Sequence, residues 1–141
     1  MGNRSLAIIK PDAMRANHFG KIIDRILDAG FRISELRMVR LTLAQAEAFY
    51  DVHKDSSFFG ELTTFMASGP ILTMALEKAD AVATFRNLIG ATNPTDADNG
   101  TIRKEFATSV GENAIHGSDS DENAEKEVAF FFSTNDISDN L

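Results

Sequence analysis

Short apolar runs alternate with stretches of helical periodicity along this chain of 141 residues. Strands are predicted over residues 5–10, 31–41, 71–77 and 113–116, and helices over residues 19–29, 42–54, 58–66, 81–89 and 120–132. A chain that alternates strands with amphipathic helices can bury the apolar stripe of each helix against a common sheet. The order predicts a four-stranded sheet with the helices packed on one of its faces, and the length of 141 residues predicts one domain over residues 1–141.

Several residues mark where these elements begin and end. Pro11 stops the first apolar run and disfavours helical geometry at Lys10, so Lys10 is expected at the C-terminal end of a strand. Thr42 and Gln45 have the spacing of a capping box, and Asp80 can cap the helix over residues 81–89. The inward stripe of the helix that begins after Thr42 is predicted to carry Leu43, Ala46, Tyr50 and His53.

Two segments depart from a regular pattern. The run over residues 31–41 changes phase after Ile33, as a strand with a bulge or bend does. Residues 91–112 have little periodicity beyond one helical turn near residues 102–106. A loop longer than about 15 residues is uncommon in a compact domain unless it has a function. The second segment is therefore a candidate part of a functional site.

His116 comes after a short apolar run and precedes Gly117, two serines and an acidic helix. A strand end next to a helix start presents a side chain beside backbone N–H donors, which suits a group that meets an anion. A structural histidine in a turn is the alternative on spacing alone.

Charge and cysteine content limit the classes of function. The formal net charge is −7, and from Asp119 onward seven acidic residues stand against one basic residue, Lys126. The rest of the chain is nearly neutral, which disfavours a broad nucleic-acid-binding face but allows a basic pocket for a small polyanion. The chain has no cysteine and therefore no disulfide or thiolate site. No apolar stretch reaches the length of a membrane span, and we expect a cytoplasmic protein without a membrane partner.

The chain resembles the nucleoside diphosphate kinase family over nearly its whole length. The matching segments, in the family's order and spacing, are Lys10-Pro11-Asp12, Phe58-Phe59, Ser68-Gly69-Pro70, Gly90-Ala91-Thr92-Asn93-Pro94, Gly100-Thr101-Ile102-Arg103, Asn113-Ala114-Ile115-His116-Gly117-Ser118-Asp119-Ser120 and Ala124-Glu125-Lys126-Glu127. The chain departs from the family pattern at Ala13, Ala16 and Ser56-Ser57, where many members have glycine, arginine and a basic residue with proline. These departures concern a loop at the mouth of the site and one auxiliary phosphate contact.

The resemblance implies a fold, an activity and a set of site residues. The fold would be a ferredoxin-like βαββαβ core, α/β in the broad α+β sense, with a four-stranded antiparallel sheet. The activity would be ping-pong transfer of the γ-phosphate of a nucleoside triphosphate to a nucleoside diphosphate through a phosphohistidine on His116. Glu127 would orient His116, and Ser118 would link the two. The residues at the phosphates, base and sugar would be Lys10, Tyr50, Phe58, Arg86, Thr92, Arg103 and Asn113, with Lys10 at both the phosphate and the sugar.

The resemblance also implies a cofactor and partners. Mg²⁺ would be carried mainly by the nucleotide phosphates, without a set of protein ligands. The substrates would be nucleoside di- and triphosphates such as ATP and GTP, and the protein would form a tetramer or hexamer built from a common dimer. Nucleotide preference and the phosphorylated nitrogen stay open. The alternative function is a non-catalytic ferredoxin-like module that binds nucleotides or RNA, which would have no use for His116 in particular.

Each candidate residue also has a structural interpretation that the pattern alone does not exclude. Phe58 suits an apolar core. Tyr50 suits one as well, because a buried tyrosine needs only one partner for its hydroxyl. Arg86, Arg103 and Glu127 suit solvated helix faces. His18 and His53 have only a structural interpretation on the sequence pattern.

Overall fold

The computed structural model describes residues 2–132 of the chain. Its elements are β1 (Arg4–Ile9), α1 (Pro11–Arg15), α2 (Phe19–Asp28), β2 (Arg32–Val39), α3 (Leu43–Phe49), a 3₁₀ turn (Asp51–His53), α4 (Phe59–Met66), β3 (Ile71–Glu77), α5 (Ala81–Ile89), α6 (Ile102–Phe106), β4 (Ile115–Gly117) and α7 (Asp121–Phe131). The polar tail predicted from Ser133 onward lies outside the described residues.

The strands form one antiparallel sheet in the order β2-β3-β1-β4. Ile8 of β1 pairs with Thr73 of β3 on one side and with His116 of β4 on the other. The elements β1, α2, β2, β3, α5 and β4 make the βαββαβ core of the ferredoxin-like fold, and the predicted fold class is confirmed. The phase change after Ile33 is a register shift against β3 between Ile33 and Glu35, as the strand pattern predicted.

Both faces of the sheet are covered, so the prediction that the helices pack on one face is wrong. On one face, Ala7 and Ile9 of β1 pack with residues of α2 and α5 such as Ile22 and Phe85. On the other face, Leu6 and Ile8 of β1 pack with residues of α4 and α7, among them Met66, Val128 and Phe131. The apolar runs of β1 and β3 are continuous because the central strands are buried on both sides.

Two helix termini and the burial of one helix residue differ from the sequence prediction. The capping box of Thr42 and Gln45 is present, but α3 ends at Phe49 and the 3₁₀ turn replaces its predicted last turn to residue 54. Leu43 is 48% exposed because it occupies the first, solvent-facing turn, so its predicted place on the inward stripe is wrong. Asp80 precedes α5 with φ 52° and makes no side-chain cap, because a capping side chain usually requires extended backbone at this position.

The five-residue helix α1 was not predicted, because a proline after a strand indicates a stop and gives no information on the conformation of the next residues. Pro11 occupies the first position of α1, where its missing N–H is not needed. Within residues 2–132, no helix is long and apolar enough to cross a membrane.

Candidate active site

A cavity of about 650 Å³ lies where the ends of β1 and β4 meet α3, α5 and α7. The predicted site residues that line it are Lys10, Tyr50, Phe58, Arg86, Thr92, Arg103, Asn113, His116 and Glu127. They come from strand ends, helices and the long loop, so the cavity exists only in the folded chain. Every predicted site residue except Ser118, which is buried behind the wall, contributes to the lining.

His116 is held by a hydrogen-bond chain that reaches the first strand. Its Nε2 lies 2.8 Å from Oε1 of Glu127, on α7. The Ser118 hydroxyl donates to the same carboxylate oxygen at 2.8 Å and accepts from the backbone N–H of Leu6 at 3.0 Å. Ser118 therefore supports Glu127, and Glu127 bridges to His116. With Nε2 engaged, Nδ1 is the ring nitrogen left for another partner.

Aromatic rings pack around the imidazole of His116. The Phe49 ring stands edge-on to it with centroids 5.6 Å apart, and the Tyr50 ring lies at 6.4 Å. The Tyr50 hydroxyl is buried and makes no hydrogen bond within the described part of the chain. Burial raises the pKa of Tyr50, with the nearby Glu127 carboxylate adding to the effect, so the hydroxyl keeps its proton. It is a hydrogen-bond donor that a ligand in the cavity can satisfy.

Two buried cations face the same space. Lys10 donates from Nζ to Oδ1 of Asn113 at 2.8 Å, and burial together with the charge of Arg103 lowers its pKa to about 8. Arg103 donates to the carbonyl oxygens of Gly90 at 3.0 Å and Ile115 at 2.7 Å. Burial and the nearby Arg86 lower the pKa of Arg103 to about 10. The hydrogen-bond partners of both cations in these contacts are neutral amide and carbonyl oxygens, which leaves the charges available to an anionic ligand.

Strand β4 lies directly against α5 at Gly117, the residue after His116. A Cβ added to Gly117 would stand 2.9 Å from Cδ2 of Phe85 and 3.1 Å from Cδ1 of Ile89. The first distance is a clash and the second is a tight contact, and both involve buried side chains of α5. The absence of a side chain at Gly117 therefore sets the distance between His116 and the helix that carries Arg86.

The comparisons with known proteins agree with this geometry. The family model described as nucleoside diphosphate kinase matches residues 3–137. A nucleoside diphosphate kinase from Cereibacter sphaeroides is 59% identical over 130 residues, which are 92% of this chain and 93% of that protein. One from Flavobacterium psychrophilum is 55% identical, with 92% of this chain and 94% of the relative covered. The Aquifex aeolicus nucleoside diphosphate kinase structure superposes with a TM-score of 0.95 at 45% identity, covering 96% of this chain and 99% of that one.

The chain belongs to the nucleoside diphosphate kinase family. It is a phosphotransferase that moves the γ-phosphate of a nucleoside triphosphate to a nucleoside diphosphate. The non-catalytic binding module that the sequence left as an alternative is disfavoured, because relatives at 50–59% identity are consistently named as the enzyme.

Asp119 and His53 line the cavity of this nucleoside diphosphate kinase, although neither was predicted as a site residue. Asp119 accepts from Nδ2 of Asn123 at 2.7 Å, and this bond is the main reason that its pKa lies below the usual range. The sequence pattern placed it only in the segment around His116, without a role. His53, which had only a structural interpretation, lines the cavity and packs against the Phe58 ring with centroids 5.6 Å apart. Its position in the 3₁₀ turn, which periodicity did not predict, brings it there.

Proposed function

We propose that His116 carries the phosphoryl group in a ping-pong reaction and that Nδ1 is the attacking nitrogen. The observation that carries this is the bond between Nε2 and Glu127, which leaves Nδ1 as the free lone pair. Nδ1 forms the N–P bond as the bond from the γ-phosphorus to the β–γ bridging oxygen breaks, and the nucleoside diphosphate leaves. The second diphosphate reverses the step. Glu127 stabilises the positive charge that develops on the ring.

We assign the basic side chains of the cavity wall to stabilising the negative charge of the transferred phosphoryl group. Phosphoryl transfer passes through a loose transition state whose charge is spread over three equatorial oxygens, so positioned cations are the main requirement. Lys10, Arg86 and Arg103 meet it from three different elements. The unpartnered hydroxyl of Tyr50 supplies a neutral donor beside them, and Thr92 completes the phosphate contacts.

The nucleoside part is assigned to the mouth of the cavity. Phe58 is 49% exposed although it lines the cavity, which suits a ring that stacks on a base. Lys10 and Asn113, already bonded to each other, are assigned to the sugar hydroxyls. A structure of a nucleoside diphosphate kinase from Halobacterium salinarum, 35% identical with a TM-score of 0.92 and covering 99% of this chain and 93% of that one, is described as a complex with CDP. Stacking without a base-reading cluster predicts that several nucleotides are accepted.

Magnesium fits this cavity as a partner of the phosphates. Within residues 2–132 there is no cluster of three or more histidine, aspartate or glutamate side chains of the kind that holds a metal alone. Mg²⁺ typically uses one or two carboxylates together with substrate phosphates. Asp119 is the carboxylate that lines the cavity beside Asn123, and its lowered pKa keeps it ionised at neutral pH. The ion would neutralise phosphate charge when it enters with the nucleotide.

The assembly and location are also part of the proposal. β2 is an edge strand on which Leu36 and Met38 are 51% and 54% exposed, and Leu27 of α2 is 51% exposed. Apolar side chains in such a position support a homo-oligomer, a tetramer or hexamer built from dimers, which light scattering on purified protein measures. One kinase domain over residues 1–141 and a cytoplasmic location stay predictions.

Labelling with γ-³²P-ATP and Mg²⁺ tests the assigned nucleophile. Wild-type protein should take up label that is lost in acid and kept in alkali, as a phosphohistidine is. His116→Ala should take up none and lose at least about three orders of magnitude in turnover. The matched control is His18→Ala, whose ring packs on Phe106 away from the cavity lining and which should label normally. Label retained by folded His116→Ala would refute the assignment.

A further inference from the structure

The residue two positions before His116 has an unusual backbone. Ala114 is fully buried and has φ 71°, a conformation that L-residues other than glycine, asparagine and aspartate rarely adopt. The N–H of Ile115 donates to the carbonyl oxygen of Asn113 at 2.8 Å, which closes a γ-turn around Ala114. Such a turn is strained and persists only where neighbouring groups hold it.

Both polar backbone groups of Ala114 are held by the segment that comes after β1. The backbone N–H of Lys10 donates to the carbonyl oxygen of Ala114 at 2.9 Å. The N–H of Ala114 donates to Oδ2 of Asp12 at 3.0 Å. The other carboxylate oxygen, Oδ1, is buried and meets no partner at hydrogen-bond geometry within residues 2–132. Asp12 does not line the cavity, and it reaches the site in two ways: through its bond to the turn and through its charge, which acts against the lowering of the Lys10 pKa.

The turn determines the position of the Asn113 side chain more than that of the His116 side chain. His116 is held independently by pairing with Ile8 of β1. Asn113 lies before the turn, is 3% exposed, and meets Nζ of Lys10 only if the chain reverses at Ala114. Its second contact, from Nδ2 to the Thr92 carbonyl oxygen, is long at 3.4 Å.

We propose that Asp12 is a positioning residue for nucleotide binding. It holds Ala114 in the γ-turn and so keeps Asn113 against the ammonium of Lys10, the pair assigned above to the sugar hydroxyls. The inference rests on the proposed function in that one assignment. Asp12 makes no bond with the substrate. We therefore expect its replacement to weaken nucleotide binding more than it slows the chemical step.

Calorimetric titration with MgADP separates this role from simple loss of folded protein. Asp12→Ala should raise the dissociation constant about tenfold, since the buried N–H of Ala114 loses its acceptor and the turn is no longer held. Inactive protein would instead lower the binding stoichiometry and leave the dissociation constant unchanged. Asp12→Asn, which keeps an acceptor oxygen, should stay near wild type. Asp28→Ala, an exposed position at the end of α2, is the matched control.

Ala114→Gly provides a rescue that only the proposed role predicts. Glycine adopts a positive φ without strain, so the turn no longer needs the carboxylate. Asp12→Ala combined with Ala114→Gly should therefore bind ADP within about threefold of Ala114→Gly alone, the factor that roughly 0.7 kcal/mol represents. If Asp12→Ala does not fold, Asp12→Ser, whose shorter side chain does not reach the turn, replaces it in both arms.

Two results would overturn the inference. One is an unchanged dissociation constant for ADP in folded Asp12→Ala or Asp12→Ser. The other is a raised dissociation constant that Ala114→Gly does not bring back toward the value of Ala114→Gly alone.

A parallel titration with 2′,3′-dideoxy-ADP tests the underlying assignment separately. Wild type should bind this nucleotide more weakly than ADP, and Asp12→Ala should narrow the difference. Equal binding by wild type would remove the sugar assignment of Lys10 and Asn113, while the ADP arms would still decide whether Asp12 positions the turn.

Discussion

Replacing Lys10 by methionine should make the protein more stable and abolish its activity. Lys10 is 7% exposed, and burial lowers its pKa from 10.5 to about 8. A tenfold change in proton affinity corresponds to about 1.4 kcal/mol, so keeping the ammonium charged in the folded state costs about 3 kcal/mol at neutral pH. Methionine has a similar length and no charge, so this cost disappears.

The gain is reduced by the partner that Lys10 leaves behind. Oδ1 of Asn113 loses its hydrogen bond in a residue that is 3% exposed. An unsatisfied buried acceptor costs about 1–3 kcal/mol. We therefore expect Lys10→Met to be more stable than wild type by up to about 2 kcal/mol at pH 7, the difference between these two opposing effects.

The pH dependence of the difference identifies its cause. Below about pH 8 the lysine is protonated in both the folded and unfolded states, so the full cost is present. Between about pH 8 and 10.5 the unfolded state holds more protons than the folded state, so wild-type stability rises with pH. By about pH 9.5 wild type should have recovered about 2 kcal/mol relative to Lys10→Met, which has no group to titrate at this position.

Urea unfolding at one fixed protomer concentration, at pH 7 and at pH 9.5, measures both values. Lys21→Met, at an exposed position of α2, is the control and should change stability little at either pH. A Lys10→Met protein that is less stable than wild type at pH 7 would refute the argument. So would a difference in unfolding free energy that does not change between the two pH values.

Three further predictions concern catalysis. Glu127→Gln should slow phosphorylation of His116 about ten- to a hundredfold in rapid-quench single turnovers, because a charge-assisted hydrogen bond is worth about 1–3 kcal/mol; an unchanged rate would leave Glu127 with a structural role only. The catalytic efficiencies for ADP, GDP, CDP and UDP should fall within about a thousandfold, since the Phe58 ring recognises the π-face of any base; a wider spread would require base-specific hydrogen bonds. The kcat/KM for nucleotide should fall as the pH rises through about 8, because Lys10 then loses its charge in the free enzyme. A profile that stays flat to pH 10 would contradict the assignment of Lys10 to phosphate.

Local sequence patterns predicted the elements well where the signal is carried by neighbouring residues. β3 over Ile71–Glu77 and α6 over Ile102–Phe106 have the predicted bounds. The capping box at Thr42 is present with both of its hydrogen bonds. In each case the residues that determine the element are within a few positions of one another, so periodicity and capping chemistry are sufficient.

Features set by distant parts of the chain could not be predicted in this way. An alanine at position 114 gives no reason to expect a left-handed backbone, and its hydrogen-bond partners, Asp12 and Lys10, lie about a hundred positions earlier. The lowered pKa of Lys10 depends on burial, and a lysine at a strand end is not predicted to be buried from its local sequence. The residue roles around His116 came from the family resemblance, and the structure added the hydrogen bonds between Glu127, Ser118 and His116.

The close approach of β4 to α5 at Gly117 has a consequence for engineering. Because a Cβ would stand 2.9 Å from the Phe85 ring, a saturation library at position 117 should return glycine alone. Even alanine would require the Phe85 ring, β4 or α5 to shift, and a shift of β4 or α5 would displace His116 or Arg86. A second library that also varies Phe85 and Ile89 toward smaller side chains could admit alanine at 117. We therefore expect substitutions at positions 85, 89 and 117 to be tolerated together and not singly.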